Sequence, residues 1–318
     1  MINIVQSAIM GFCVGDALGV PVEFYKRRML ENNPVEGLRA YGTHNQPLGT
    51  WSDDTSLTLC TMESLLEGYN TNNMADLFVK WYTEGKWTPH GGVFDIGIST
   101  RYALQRRMEG VSATSCGGDE EEDNGNGSLM RMFPLALYCR EMEEDNRYLI
   151  VEEVSSITHR HGRSILGCQI LVELAINLSK GMPKVKAYEI TISNIRRDFG
   201  SHPEIDAYEA FLSGSLLGMS KEDIKSGGYV VDTLAASVWS LLNTNTYTAS
   251  VLCAVNLGGD TDTIGAITGG LAGLVYGADS IPSEWVSNIV QLERISDLCD
   301  RFLEHILLNG GNIYGNKS

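Results

Sequence analysis

The sequence predicts an all-α fold, a single compact domain of many packed helices. Three observations point there. Apolar residues recur at three- and four-residue steps in segment after segment, the period of a helix with one buried face. Runs that alternate apolar and polar residues, as a half-buried strand would, are scarce. No internal repeat and no Pro- or Ser-rich linker divides the 318 residues, so one domain over 1–318, with a core from about residue 5 to residue 308, is the simplest partition.

Taken in order, the first helix is expected over Ile4–Leu18, inside the apolar opening "MINIVQSAIMGFCVG". That opening has no basic region ahead of its apolar run, so it reads as a core helix and not as a leader. Gly11, Gly15 and Gly19 stand four apart along one face, a spacing that lets a second helix approach closely. The loop "YGTHNQPLGTWSDDT" then leads into a helix over Leu57–Leu66. A glycine-rich, acidic loop covers Ser115–Ser128, and its five consecutive acids, Asp119–Asp123, read as a solvated surface run. Helical periods return at Ile165–Leu178, Val231–Leu242, Ala249–Val255 and Val286–Leu308. The uncharged stretch Thr263–Ala278 has 16 residues. A bilayer span needs roughly 20, so this too reads as a buried helix.

Composition narrows the partners. Lys and Arg number 24 against 40 Asp and Glu, a formal charge of −16, which repels nucleic-acid phosphate and anionic membrane. Neither nucleic acid nor membrane is expected as a partner, whereas divalent cations are favoured. The seven cysteines are scattered and never spaced C-x-x-C. Buried, reduced thiols and a cytoplasmic location follow as the expectation.

Two short motifs carry the chemistry. In "NLGGDTDTIGAITGG" two acids, Asp260 and Asp262, stand one residue apart between a glycine turn and an apolar run. Helix capping needs one acid, and positions i and i+2 face different sides of a regular helix, so the two meet at one point only if the backbone there is irregular. "GTWSDDTSL" repeats the chemistry with Ser52, Asp53 and Asp54. Together with Thr263 these residues supply hard oxygen ligands of the kind Mg²⁺, Mn²⁺ or Ca²⁺ prefer. Four carboxylates in one place repel, and a pair of divalent ions about 3.5–4 Å apart would relieve the repulsion. Weaker signals are Glu23 at the exit of the first helix, the loop Gly125, Asn126, Gly127 and Ser128 ahead of an apolar segment, and His159 and His161 in "ITHRHGRS".

These residues resemble the ADP-ribosylglycohydrolase family. The resemblance runs through "GFCVGDALGVPVEF", "WSDDTSLTLC", "FDIGIST", "GNGSLMRMFPLAL", "ITHRHG", "GGYVVDTLAASVWSLLN" and "AVNLGGDTDTIGAITGGLAGLVYG", in family order over most of residues 5–285. It implies an all-α domain with a binuclear metal cluster in a central cleft, two Mg²⁺ or Mn²⁺ ions held by Ser52, Asp53, Asp54, Asp260, Asp262 and Thr263. Ser52 stands where many relatives have Thr. The implied substrate is an ADP-ribosylated protein and the product ADP-ribose. Asp95 of "FDIG" matches the base in members acting on ADP-ribosyl-arginine, and Glu23 matches the acid with that role in the serine-linked branch. The fuller "FDIG" match favours arginine. Asn126, Gly127, Ser128 and His159 match positions lining the diphosphate and ribose pocket.

Two other readings stand beside this one. A phosphoryl hydrolase also uses paired hard metals, although no Walker loop is present. A non-catalytic immunity or interaction protein could bind an ADP-ribosylating toxin or its target without hydrolysis.

Overall fold

A computed structural model describes residues 3–309. Its described residues contain no strand, and the α-helices come in three groups. The first comprises α1 (Ile4–Gly19), α2 (Arg27–Asn32), α3 (Asp53–Leu66), α4 (Thr71–Glu84) and α5 (Ile98–Met108). The second comprises α6 (Phe133–Tyr138), α7 (Glu144–Ser155), α8 (Gly162–Ser179), α9 (Lys184–Phe199) and α10 (Glu209–Leu212). The third comprises α11 (Val230–Leu242), α12 (Tyr247–Val255), α13 (Thr261–Tyr276), α14 (Ser283–Ser287) and α15 (Leu292–Asn309). One buried apolar core runs through all three.

α1 and α13 form the centre. Every residue of α1 from Ser7 to Gly19 is buried, as is every residue of α13 from Thr261 to Gly273. Two helices come this close only where side chains are absent. A Cβ on Gly11 would lie 2.4 Å from the Gly269 carbonyl oxygen, one on Gly15 2.1 Å from that of Gly265, and one on Gly19 2.3 Å from the Asp262 Cα. As α1 ascends α13 descends, so the pair is antiparallel, and the exit of α1 meets the entry of α13. The predicted glycine face is this seam. By length and composition Ile4–Val22 could cross a membrane, but 89% of its apolar window is buried in the fold. It is the core helix expected from the sequence.

The seam closes with hydrogen bonds that place the functional loops. Thr261 Oγ1 donates to the Gly19 carbonyl at 2.8 Å, filling a helix-end acceptor that would otherwise lack a partner. Gly258 and Gly259 have φ of +74° and +80°, and their turn pairs with the chain leaving α1. There Phe24 N–H donates to Gly259 O at 2.7 Å and Gly259 N–H to Tyr25 O at 2.8 Å.

The predicted helix Val286–Leu308 is divided. α14 ends at Ser287, α15 starts at Leu292, and Gln291 between them has φ +59°. The break serves the loop before α3: Val290 N–H donates to Gly49 O at 3.1 Å and Trp51 Nε1 to Val290 O at 2.9 Å. Gln291 Nε2 donates to the carbonyls of Thr88 and Pro89 at 2.8 and 3.0 Å. All seven cysteines are free thiols, six of them buried.

Candidate active site

The entries of α3 and α13 open on one cleft. Its volume is about 320 Å³, and Glu23, Asp53, Asp54, Asp95, Asp260 and Asp262 all line it. Because each of these helices points its N-terminus at the cleft, unpaired N–H groups and the helix dipoles favour negative charge there.

Asp260 answers the question its motif raises. It occupies the cap position of α13, yet its side chain makes no capping bond and its ψ is 77°. The carboxylate instead accepts from Asn126 Nδ2 at 2.8 Å. The irregular backbone at the glycine turn lets Asp260 and Asp262, two residues apart, face one point. Glu23, Asp260 and Asp262 each present an oxygen within 4.8 Å of the others, and Asp16, Asp54 and Asp262 do the same. The two triplets share Asp262. Thr263 Oγ1 donates to Asp54 Oδ1 at 3.2 Å, while Asp54 Oδ2 is buried with no hydrogen-bond partner. A buried carboxylate oxygen without a partner is costly in a folded chain, and a hard cation would supply what it lacks.

Electrostatics agree. Burial raises Asp54 well above the usual carboxylate range, with the charges of Asp16, Asp53 and Asp260 adding to it. Asp262 rises likewise through burial, then Glu23, Asp260 and Asp54, and Asp53 through burial, then Asp95, Asp16 and Glu23. Burial pushes Glu23 up to about 7 against the opposing hydrogen bond from His44, and it raises Asp95 against the His44 charge. A set of carboxylates whose charged forms are all disfavoured by burial, and most of them by their neighbours' charges too, is one that a cation would suit.

Not every expected residue faces the cleft. Asp53, Thr263, Asn126, Gly127 and His159 line it. Ser52 is buried, 1% exposed, and its hydroxyl accepts from Asp54 N–H at 3.2 Å as the cap of α3, so it supports the acids from behind. Ser128, matched to the pocket by resemblance, turns its side chain away from the cleft. Its side chain is fully buried and bonds with Ser155 Oγ at 3.0 Å and Cys168 Sγ at 3.3 Å, because the turn at Leu129–Arg131 directs it into the core. The acidic run lies mostly exposed, as expected, but it is anchored: Asp119 pairs with Arg160 at 2.6 Å, Glu121 pairs with Arg163, and Glu122 reaches the cleft.

Two residues escaped the sequence reading. Asp16, fully buried, accepts from Ser52 N–H at 3.0 Å, Thr55 N–H at 3.1 Å and Thr55 Oγ1 at 2.6 Å, and so ties α1 to the turn that carries Asp53 and Asp54. Its signal was present, as the only charged side chain in the first 22 residues. His44 hydrogen-bonds Glu23 and lies 3.9 Å from Asp95. A histidine in a polar loop carries no comparable mark.

Comparison with known proteins places this geometry. The chain matches the ADP-ribosylglycohydrolase family over residues 2–311. It is 32% identical over 300 residues to the ADP-ribosylarginine hydrolase Tri1 of Serratia proteamaculans, covering 93% of this chain and 78% of that protein. It is 30% identical to the ADP-ribosyl-[dinitrogen reductase] glycohydrolase of Rhodospirillum rubrum, covering 90% of each. A solved structure described as an ADP-ribosylglycohydrolase-related protein complex superposes with a TM-score of 0.81 at 29% identity, covering 95% of this chain and 98% of that one. The all-α domain, the acidic cleft between α1, α3 and α13, and a match along nearly the whole chain together make this protein a member of the ADP-ribosylglycohydrolase family and a glycohydrolase.

Proposed function

We propose that the chain is a metal-dependent hydrolase that removes ADP-ribose from an arginine side chain of a modified protein. The observation that carries this reading is the convergence on one cleft of seven carboxylates from distant segments, with Asp54 Oδ2 buried and unpartnered. Asp54, Asp260 and Asp262, joined by Asp53 and Thr263, would hold two Mg²⁺ or Mn²⁺ ions, with Asp16 completing the triplet of Asp54 and Asp262. Bound there, the ions would offset the carboxylate charge and orient the hydroxyls of the distal ribose.

The protein's own groups do the rest. Cleavage at an anomeric carbon passes through an oxocarbenium-like state. Water attacks C1, the C1–N bond to the guanidine breaks, and a C1–O bond replaces it. Asp95 accepts the proton of the attacking water and the leaving guanidine regains one. Asp95 suits this role better than Glu23, since its side chain is 23% exposed to the cleft against 7% and Glu23 is engaged by His44. Asn126 holds Asp260 in place, and the Asn126–Gly127 loop and His159 form the wall for the diphosphate and ribose. Two relatives are named for arginine-linked substrates, which supports the linkage. Free thiols fit a reducing compartment such as the cytoplasm.

The test offers arginine-linked and serine-linked ADP-ribosyl peptides to the enzyme with Mg²⁺, with Mn²⁺ and with chelator, and measures released ADP-ribose. Release from the arginine peptide that depends on a cation is expected. Release from the serine peptide alone would transfer the base to Glu23, and release in chelator would remove the metals.

A further inference from the structure

Arg131 is a fully buried guanidinium with no carboxylate paired to it among the described residues. It stacks over the Phe78 ring at 4.9 Å. It donates to the Val154 carbonyl at 3.1 Å and to Thr158 Oγ1 at 2.7 Å. Thr158 Oγ1 is in turn 2.8 Å from His159 Nδ1. Nothing in the reaction as described uses this chain of contacts, yet it ends on a side chain that lines the cleft.

Counting protons gives it a direction. A guanidinium only donates, so Thr158 Oγ1 must be the acceptor in the first bond. The hydroxyl has one proton, and His159 Nδ1 is the only acceptor within its reach among the described residues. Nδ1 as the acceptor gives that proton a partner, whereas an Nδ1–H would crowd a second donor onto Oγ1 and strand the hydroxyl proton in a buried site, so the arrangement that satisfies every group puts the ring proton on Nε2. The Nε2–Cε1 edge faces the glycine loop of the cleft: a Cβ on Gly125 would lie 3.5 Å from Nε2, and one on Gly127 2.7 Å from Cε1. Nε2 has no hydrogen-bond partner within the described protein.

We propose that Arg131 and Thr158 are positioning residues that hold His159 as a neutral Nε2–H donor aimed into the cleft, where it takes an acceptor oxygen of the ligand. Burial and the Arg131 charge push His159 down to about 3, so the imidazole stays neutral and the relay decides only which nitrogen holds the proton. Two glycines opposite the ring leave the donor edge open to a ligand. The ligand side of this inference rests on the reading that the cleft binds ADP-ribose; the tautomer does not.

The test is nitrogen NMR of the ¹⁵N-histidine-labelled, full-length protein, with the His159 signals assigned by their loss in His159→Gln. The neutral Nε2–H pattern is expected near neutral pH in the wild type, and an Nδ1–H pattern or an imidazolium overturns the proposal without touching the assigned reaction. Thr158→Val removes the relay hydroxyl, and Thr158→Ser restores it. Calorimetry with ADP-ribose is expected to show roughly 10-fold weaker binding in Thr158→Val, the loss of one hydrogen bond to a charged or strongly polar acceptor, and near wild-type binding in Thr158→Ser. Equal weakening in both variants would mark a packing role and end the relay. Absence of ADP-ribose binding in the wild type, with the Nε2–H tautomer present, would defeat the ligand and leave the tautomer standing.

Discussion

At the scale of single residues, the site separates side chains that face the cleft from those that support it. Asp95 sits in the extended segment before α5, close to the Glu23–His44 pair. Asp95→Asn should lower kcat about 10²–10⁴-fold, the usual value of a general base, while ADP-ribose still binds; steady-state turnover beside product calorimetry checks both. Asp262 belongs to both oxygen triplets of the acidic cluster. Asp262→Ala should abolish the rise in melting temperature on adding Mn²⁺ and leave the helical circular dichroism unchanged. A variant that kept its response to cation would remove Asp262 from the ligand set. Most of this was legible in the residues, since acids flanking a glycine turn ahead of an apolar run are hard to explain as caps alone. Asp16 was marked only as a lone charge in an apolar helix and His44 not at all, because their roles depend on partners 36 and 21 residues away, and no local period reports such a contact. The inward turn of the Ser128 side chain was hidden for the same reason, since its partners Ser155 and Cys168 lie 27 and 40 residues away.

At the scale of elements, the seam between α1 and α13 decides where the acids stand. Gly15→Val would drive a side chain into the Gly265 carbonyl, with the Cβ alone already at 2.1 Å. Overpacking of this kind costs about 1–3 kcal/mol and at times more, and α13 would move with its entry residues. Denaturant melts should show the loss for Gly15→Val and none for Gly92→Ala, where a Cβ meets nothing within 4 Å. Helices with dense apolar faces were visible from periodicity. α4 and α9 were not singled out, because each buries a narrow stripe in a polar stretch: Met74, Ala75, Phe78 and Trp81 in α4, and Ala187, Tyr188, Thr191 and Ile195 in α9. The break between α14 and α15 was hidden because its cause is a bond from Val290 to the distant Gly49.

At the scale of the whole molecule, the acidic cleft sets stability against function. Glu23 rises from the ordinary 4.5 to about 7, and Asp16 from 3.8 to about 6, both through burial. A raised carboxyl favours the protonated fold, so the stability it contributes is complete below the ordinary value and is lost as pH climbs through the raised one. In chelator, Glu23→Gln should match the wild type below pH 4.5 and melt higher than it above pH 7. Melting curves at the two pH values decide this, and a variant equally stable or less stable at the higher pH would contradict the sign. Divalent cation should raise the melting temperature of the wild type most at neutral pH, because binding to the folded state alone stabilises it by mass action.

The bond from Thr263 to Asp54 spans 209 positions of the chain. During synthesis, Asp53 and Asp54 leave the ribosome long before Asp260 and Asp262 exist, and α1 must wait with its glycine face uncovered until α13 emerges. The hydrolase therefore has no half-built version of its cleft. The cleft is complete only when two helices made far apart in time close on each other.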